Sequence, residues 1–288
     1  MKIITEPSVY LVGQQFVSQS DLGRFLDDHG VSWQSDTDVC AEELTETAGR
    51  LCYMSFAKPR PGGNAAYLSH ILEVGHGSVL EHAVWNFIIT GVSRSFSHEL
   101  VRHRAGFGFS QLSQRYVDES VAEYVCPLQY QEAVAAYDYF HGHEYGTAEP
   151  YAVFADGKYA NDYTKFYRLV DIGALWLGAV KNAHQDYCML VEKSAALWPE
   201  LERKGIRQAA RSVLPNATET KVFVTVNARA ARHFIEMRAS RHAEPEIRKV
   251  AVAILKILQV EAPNIFGDYK LEPLPDGTFE AVTAHRKV

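Results

Sequence analysis

The sequence predicts an α+β fold, with a few strands segregated from a larger helical part. Three observations predict it. Short stretches rich in β-branched or alternating apolar residues occur at 8–17, 83–91 and 221–226. Apolar stripes at helical spacing fill much of 162–213 and 246–262. No G-x-G-x-x-G follows any strand, so a doubly wound dinucleotide sheet is not expected.

Taken in order, Ser8–Val17 reads as a strand. Leu44, Ala48 and Leu51 space a helix over 38–54, and Ser55 after it is either a surface hydroxyl or a ligand contact. Pro59, Pro61, Gly62 and Gly63 mark a loop. Asn64 stands where it could cap a helix through Tyr67, Leu68, Ile71 and Leu72, which Gly75 ends. Trp85, Phe87 and Ile89 alternate with polar residues as in a strand. Ser93 caps the next helix, which turns Phe96 and Leu100 inward and delivers Arg102, His103 and Arg104 at its end. An Ala105–Gly108 turn follows, and 117–127 reads as extended.

Residues 128–165 combine many aromatics with glycines and read as an insertion over the core of a single domain spanning 1–288. Asp162–Val213 is helical, and Glu200–Val213 puts Arg203, Arg207 and Arg211 on one face, most simply a solvated one. Lys221–Val226 is a strand, and Asn227 caps a helix running to Arg238. Glu246–Ala262 is a core helix, and 272–288 reads as a loose tail.

Composition narrows the function. Of 288 residues, 47% are hydrophobic and 22% charged, which is ordinary for a globular chain. Met1–Glu6 lacks a signal-peptide core, and no run reaches the roughly 18 apolar residues of a membrane span. The four cysteines (Cys40, Cys52, Cys126, Cys188) show no C-x-x-C, which argues against a disulfide framework or structural zinc and fits a reducing cytoplasm. Cys40, Cys52 and Cys188 read as small buried hydrophobes, and no cysteine is expected to be catalytic. The net charge of −6 argues against a general nucleic-acid binder. Arginine is nevertheless concentrated: Arg94, Arg102, Arg104 and Arg115 face only Glu99 within 94–115, and eight arginines face four glutamates within 203–248. Such windows in an acidic chain predict a discrete anion site.

Four motifs carry the chemistry. The densest is Arg102–Tyr116, R-H-R-A-G-F-G-F-S-Q-L-S-Q-R-Y. Guanidinium forks match phosphate and carboxylate, and glycines let backbone approach a ligand closely. Successive helical residues point about 100° apart. If all three are functional, Arg102, His103 and Arg104 therefore serve separate parts of a ligand, or separate subunits. Gly75–His82 (G-H-G-S-V-L-E-H) holds two histidines and a glutamate, but not as H-E-x-x-H, and no metal is expected there. His141 and His143 read as exposed loop rather than metal ligands. The third motif is Ala210–Pro215 (A-R-S-V-L-P). The fourth runs from Asn227-Ala228-Arg229 through Phe234 to Arg238; Arg232 and Arg241 within its reach read as surface.

In combination and in order, these motifs resemble those of the flavin-dependent thymidylate synthases. The spacer Ala105–Leu112 is one residue longer than that family's usual one, and the likeness covers about 50–125 and 200–265. It implies a thymidylate synthase-complementing-like fold with an antiparallel sheet. It also implies reductive methylation of dUMP, with methylenetetrahydrofolate as carbon donor and NADPH-reduced FAD as hydride source. By the resemblance, Glu99, Arg102, Gln111, Ser113, Arg115, Arg211 and Arg238 hold dUMP, and Arg238 is catalytic through its charge at the pyrimidine. Ser55, His76, Ser78, Glu81, Arg102, His103, Arg104, Ser110, Gln111, Asn227, Arg229, His233 and His242 surround FAD. Gln111 stands where the family often has Glu, and His233 where it commonly has Asn. A homotetramer with active sites shared between subunits is implied as well. From the residues alone, a nucleotide- or RNA-binding module, a flavin enzyme methylating uracil in RNA, and a structural oligomer stay open.

Overall fold

A computed structural model describes residues 1–58, 60–142 and 162–286. The strands are β1 (Ile3–Ile4), β2 (Ser8–Gln14), β3 (Val84–Ser93), β4 (Phe107–Gln111), β5 (Tyr124–Val125), β6 (Glu219–Asn227), β7 (Lys270–Pro273) and β8 (Phe279–Val282). The helices are α1 (Gln19–Asp28), α2 (Cys40–Cys52), α3 (Gly63–Val74), α4 (Arg94–Leu100), α5 (Leu128–Gly142), α6 (Tyr163–Leu197), α7 (Arg203–Ala210), α8 (Ala228–Arg238), α9 (Pro245–Glu261) and α10 (Pro263–Phe266). Two compact units result: Met1–Glu6, Gly91–Ser97 and Leu112–Thr220 form the first, and Pro7–Thr90, His98–Gln111 and Lys221–Val288 the second.

The second unit carries a four-stranded sheet of order β2–β3–β6–β4. β2 pairs antiparallel with β3, and β4 antiparallel with β6. Successive strand residues point to opposite faces. Trp85, Phe87 and Ile89 of β3 and Val222, Val224 and Val226 of β6 are accordingly buried, while their neighbours along each strand are less so. α9 packs on β2 and α8, burying Ile247, Val250, Ile254, Leu255 and Leu258. The expected α+β class and antiparallel pairing are both observed.

Several local expectations are corrected. Asn64 is not a cap. Gly62 and Gly63 take positive φ (91° and 64°), so α3 starts earlier, and the Asp36 carboxylate accepts from the Asn64 backbone N–H at 2.7 Å. The buried Asn64 side chain instead donates to Glu46 Oε2 at 2.8 Å. The turn before the polar run is shorter than expected. After Gly106 (φ 72°) the chain pairs at once as β4, with Phe107 opposite Val226 and Gln111 opposite Val222. Alternation in F-G-F-S-Q makes the strand, and Phe107 stacks on Phe109 at 5.4 Å. Residues 272–286 are not loose: β7 and β8 pair, Ala281 N donates to Ala239 O, and Arg232 donates to His285 O.

In the first unit, β1 and β5 pair in parallel, and Asp118 caps a short 3-10 turn at Glu119–Val121 rather than extended chain. The long α6 packs on α5 around Ala136, Phe166 and Val170. Gly173 makes that approach possible, since a Cβ there would lie 2.3 Å from Ala133 O. His141 ends α5 rather than lying in a loop, whereas His143 and most of the expected insertion, 143–161, fall outside the described residues. The helix expected over 200–213 is α7 followed by a 3-10 turn, Arg211–Val213. Among the described residues no helix is long and apolar enough to cross a membrane.

Candidate functional site

The second unit gathers most of the singled-out residues. His103 turns inward beside the rings of Phe234 (5.1 Å between centroids) and His233 (6.1 Å), whereas Arg102 and Arg104 are exposed. The expected helical placement of the three is corrected: α4 ends at Leu100, and Arg102, His103 and Arg104 lie in the turn and irregular chain that follow it. Arg238, the last residue of α8, donates from Nε to His103 Nε2 at 3.0 Å and from Nη1 to Glu99 Oε2 at 2.6 Å. His103 accepts this bond, so its proton sits on Nδ1. Burial, then the charge of Arg238, then His233 lower its pKa to about 4, and the ring is neutral at physiological pH.

A cavity of about 500 Å³ opens at the start of α8, lined among others by Glu81, Gly106, Asn227, Arg229, His233 and Tyr269. That is the size of a small-molecule site. Asn227 caps α8, its Oδ1 accepting from Ala230 N at 2.8 Å. The helix N-terminus brings backbone N–H groups and partial positive charge to the cavity wall. Gly106 is required where it stands. Its φ is positive, and a Cβ would lie 2.7 Å from Ala230 Cβ and from Asn227 Nδ2. Arg229 pairs with Glu81 at 2.6 Å, and both side chains are about half exposed (47% and 48%).

Arg232, expected at the surface, is buried. Its guanidinium meets both Asp268 oxygens (2.7 and 2.8 Å), donates to Ile265 O and lies 4.8 Å from the Tyr269 ring centre. Burying a guanidinium is tolerable only with such a set of partners. Arg241 is exposed but bound to the buried Glu280.

The cavity lining contains four predicted flavin residues, Glu81, Asn227, Arg229 and His233. It does not include Ser55, whose Oγ donates to Arg50 O, nor the exposed His76, Ser78, Ser110 and His242. Gln111 is half-buried at the end of β4.

The first unit holds the other predicted nucleotide contacts. Ser113 Oγ accepts from Arg115 N at 3.4 Å, and buried Arg115 Nε has no hydrogen-bond partner. Arg211 is half-buried just beyond α7. Arg94, which sequence reasoning did not single out, joins it: burial and then the charge of Arg211 lower its pKa. The carboxylate of Glu119 acts on Arg94 in the opposite direction, and Arg94 Nη1 donates to Leu112 O at 3.4 Å. The signal was the arginine excess of 94–115, and only the fold separates Arg94 from the rest of it. Arg207 serves the fold instead, donating to Tyr116 O and Asp118 Oδ2.

The cysteines differ from expectation at Cys52, which is exposed, while Cys40 and Cys188 are half-buried and Cys126 is buried. Burial pushes the Cys126 thiol up to about 11 and raises that of Cys188.

A cavity at a capped helix end, with arginines and imidazoles at its wall, defines a binder of anionic, ring-bearing ligands of the nucleotide kind. Within that class, the chain belongs to the thymidylate synthase complementing protein family, whose model matches residues 36–264. It is 45% identical over 255 residues to a flavin-dependent thymidylate synthase of Mycobacterium sp. (strain JLS), covering 88% of this chain and 89% of the relative. It is 41% identical over 276 residues to the enzyme of that name from Mycobacteroides abscessus, covering 93% and 94%. A similar backbone occurs in the crystal structure of the UMP/dUMP methylase PolB from Streptomyces cacaoi bound with 5-Br dUMP. The TM-score is 0.58 with 21% identity, over 93% of this chain and 96% of that one.

Proposed function

We propose that this chain is a flavin-dependent thymidylate synthase, converting dUMP to dTMP with methylenetetrahydrofolate as carbon donor and NADPH as reductant. One observation carries the reading: Glu81, Gly106, Asn227, Arg229 and His233, far apart in sequence, line one cavity in a chain 41–45% identical to enzymes of that name. The donor set fits FAD. Gly106 lets the chain pack closely on the start of α8, and that helix end with Arg229 suits a diphosphate.

FAD, once reduced, supplies the hydride. The chain's own residues bind and orient. Asn227, Arg229 and the α8 N-terminus hold the anionic part of the flavin, and Glu81 keeps the Arg229 side chain in place. By the family resemblance, Ser55, His76, Ser78, Arg104, Ser110, Gln111 and His242, which lie outside this cavity, would contact parts of FAD that extend beyond it. Neutral His103 fixes the plane of the Arg238 guanidinium from one side and Glu99 from the other. Arg238 then offers positive charge where the pyrimidine becomes electron-rich. Arg102, Ser113, Arg115 and Arg211 bind the nucleotide, with Arg94 added to the anion contacts. Thiols that stay protonated, as at Cys126, leave the ring to be activated without a cysteine adduct.

The enzyme works as a cytoplasmic homotetramer, with Ser113–Arg115 and Arg211 reaching one dUMP from separate subunits. The exposed Leu175 and Leu197 of α6 give a second copy apolar surface to cover. The whole chain acts as one catalytic domain, and 128–165 is an insertion in it.

Tritium release from [5-³H]dUMP tests the reading. Release that requires FAD, NADPH and methylenetetrahydrofolate together is expected. A folded, flavin-loaded protein that releases none contradicts it.

A further inference from the structure

Two residues that line the cavity at α8 lie outside all four motifs. Tyr269 and His285 belong to the C-terminal stretch, beyond the residues 36–264 that the family's model matches. The cavity residues, α8 and this stretch all belong to the second unit.

The stretch is fastened to α8 at several points. Ala281 N, in β8, donates to Ala239 O at the end of α8 (2.8 Å). Tyr269 is buried, and its hydroxyl donates to Arg232 O at 3.1 Å. Thr283 Oγ1 donates to Asp268 Oδ2 and accepts from His285 N at 3.0 Å. Arg232 Nη2 donates both to that Asp268 oxygen, at 2.8 Å, and to His285 O, at 3.1 Å. The fold therefore satisfies both main-chain polar groups of His285. Its side chain is treated differently. His285 is half-buried, and its imidazole forms no hydrogen bond or ion pair among the described residues. A neutral imidazole has one donor and one acceptor nitrogen, and polar groups that leave water without a partner cost free energy. The guanidinium groups of the same wall already have carboxylate partners, Glu81 for Arg229 and Asp268 for Arg232.

The anchor also gives a location. Arg232 follows Arg229 on α8 by almost one helical turn, about 4.5 Å of rise. The segment that carries His285 is thus tied to α8 within about a turn of the helix end that suits a diphosphate.

We propose that His285 is a further flavin-binding residue: the C-terminal stretch forms one wall of the cavity, and the His285 imidazole hydrogen-bonds a polar group of the bound FAD. This rests on the reading of the cavity as the flavin site. The main chain at 285 is spent on the fold, and the imidazole is what the segment has left to offer a ligand.

Titration of the full-length protein with FAD, followed by flavin fluorescence, tests this, with folding checked by thermal melting. His285→Ala keeps both main-chain bonds, so it should melt near wild type. It should bind FAD about 2- to 10-fold more weakly, as loss of one neutral hydrogen bond implies. His285→Phe keeps a ring without nitrogen and should be as weak. His285→Gln keeps a donor and an acceptor and should recover part of the loss. Arg229→Ala reports on the cavity independently. Wild-type FAD affinity in folded His285→Ala or His285→Phe overturns the proposal, and if Arg229→Ala is weakened in the same titrations the flavin reading stands. Wild-type affinity in both His285→Ala and Arg229→Ala overturns the flavin reading of the cavity, and the role of His285 with it.

Discussion

Arg232 and Arg238 lie on one helix and have opposite surroundings. The Arg232 side chain is 3% exposed, and its fork is matched by Asp268 and by the carbonyls of Ile265 and His285. The Arg238 side chain is 24% exposed, held at its edges by His103 and Glu99. The same chemistry is spent on the fold in one case and kept near solvent in the other. An arginine near a ligand cavity is therefore a candidate contact only when the fold has not already saturated it.

The largest effect should come from breaking the saturated case. Arg232→Ala leaves Asp268 half of a broken, mostly buried ion pair, which typically costs about 3–5 kcal/mol. Urea unfolding should show a loss of that order. A loss below about 1 kcal/mol would mean that Arg232 is not structural. The opposite case is Arg229, whose pair with Glu81 is half exposed and worth at most about 1 kcal/mol to stability. Arg229→Ala should melt close to wild type yet bind FAD about tenfold more weakly, as loss of one charge-assisted contact implies. Fluorescence titration with FAD checks it, and unchanged affinity would remove Arg229 from the site.

The smallest effects are pH slopes. The His103 pKa is about 4 in the folded chain, below its ordinary 6.5. Between those values the unfolded chain binds more protons, so this contribution to stability is present above about pH 6.5 and is lost as pH falls through about 4. Glu244 works in the other direction. Its carboxyl is raised from 4.5 to about 7, so stability falls as pH rises across that window. His103→Asn should remove the first slope and Glu244→Gln the second. Unfolding curves at several pH values separate them, and parallel slopes in all three proteins would contradict both assignments.

Much of the scaffold was legible in the sequence because its signals are local. The strand alternation of Trp85, Phe87 and Ile89, the Ser93 and Asn227 caps and the stop at Gly75 each depend on residues within a few positions. The cavity residues Glu81, Asn227 and Arg229 were legible only as members of motifs, and the cavity that joins them comes from the fold. Misses came where the deciding partner is distant. Arg232 is buried because Asp268, Ile265 and His285 reach it, and nothing near position 232 announces them. Asn64 lost its cap role to Asp36, 28 positions earlier.

The central claim is that Arg238, unlike Arg232, is held ready for the nucleotide. The most direct measurement is the dUMP affinity of FAD-loaded Arg238→Gln against wild type, read from the flavin absorbance change. Loss of a charged hydrogen bond typically costs about 1.5–3 kcal/mol, so affinity should fall about 10- to 150-fold while the melting temperature stays near wild type. Wild-type dUMP affinity in a folded, FAD-loaded Arg238→Gln would contradict the account.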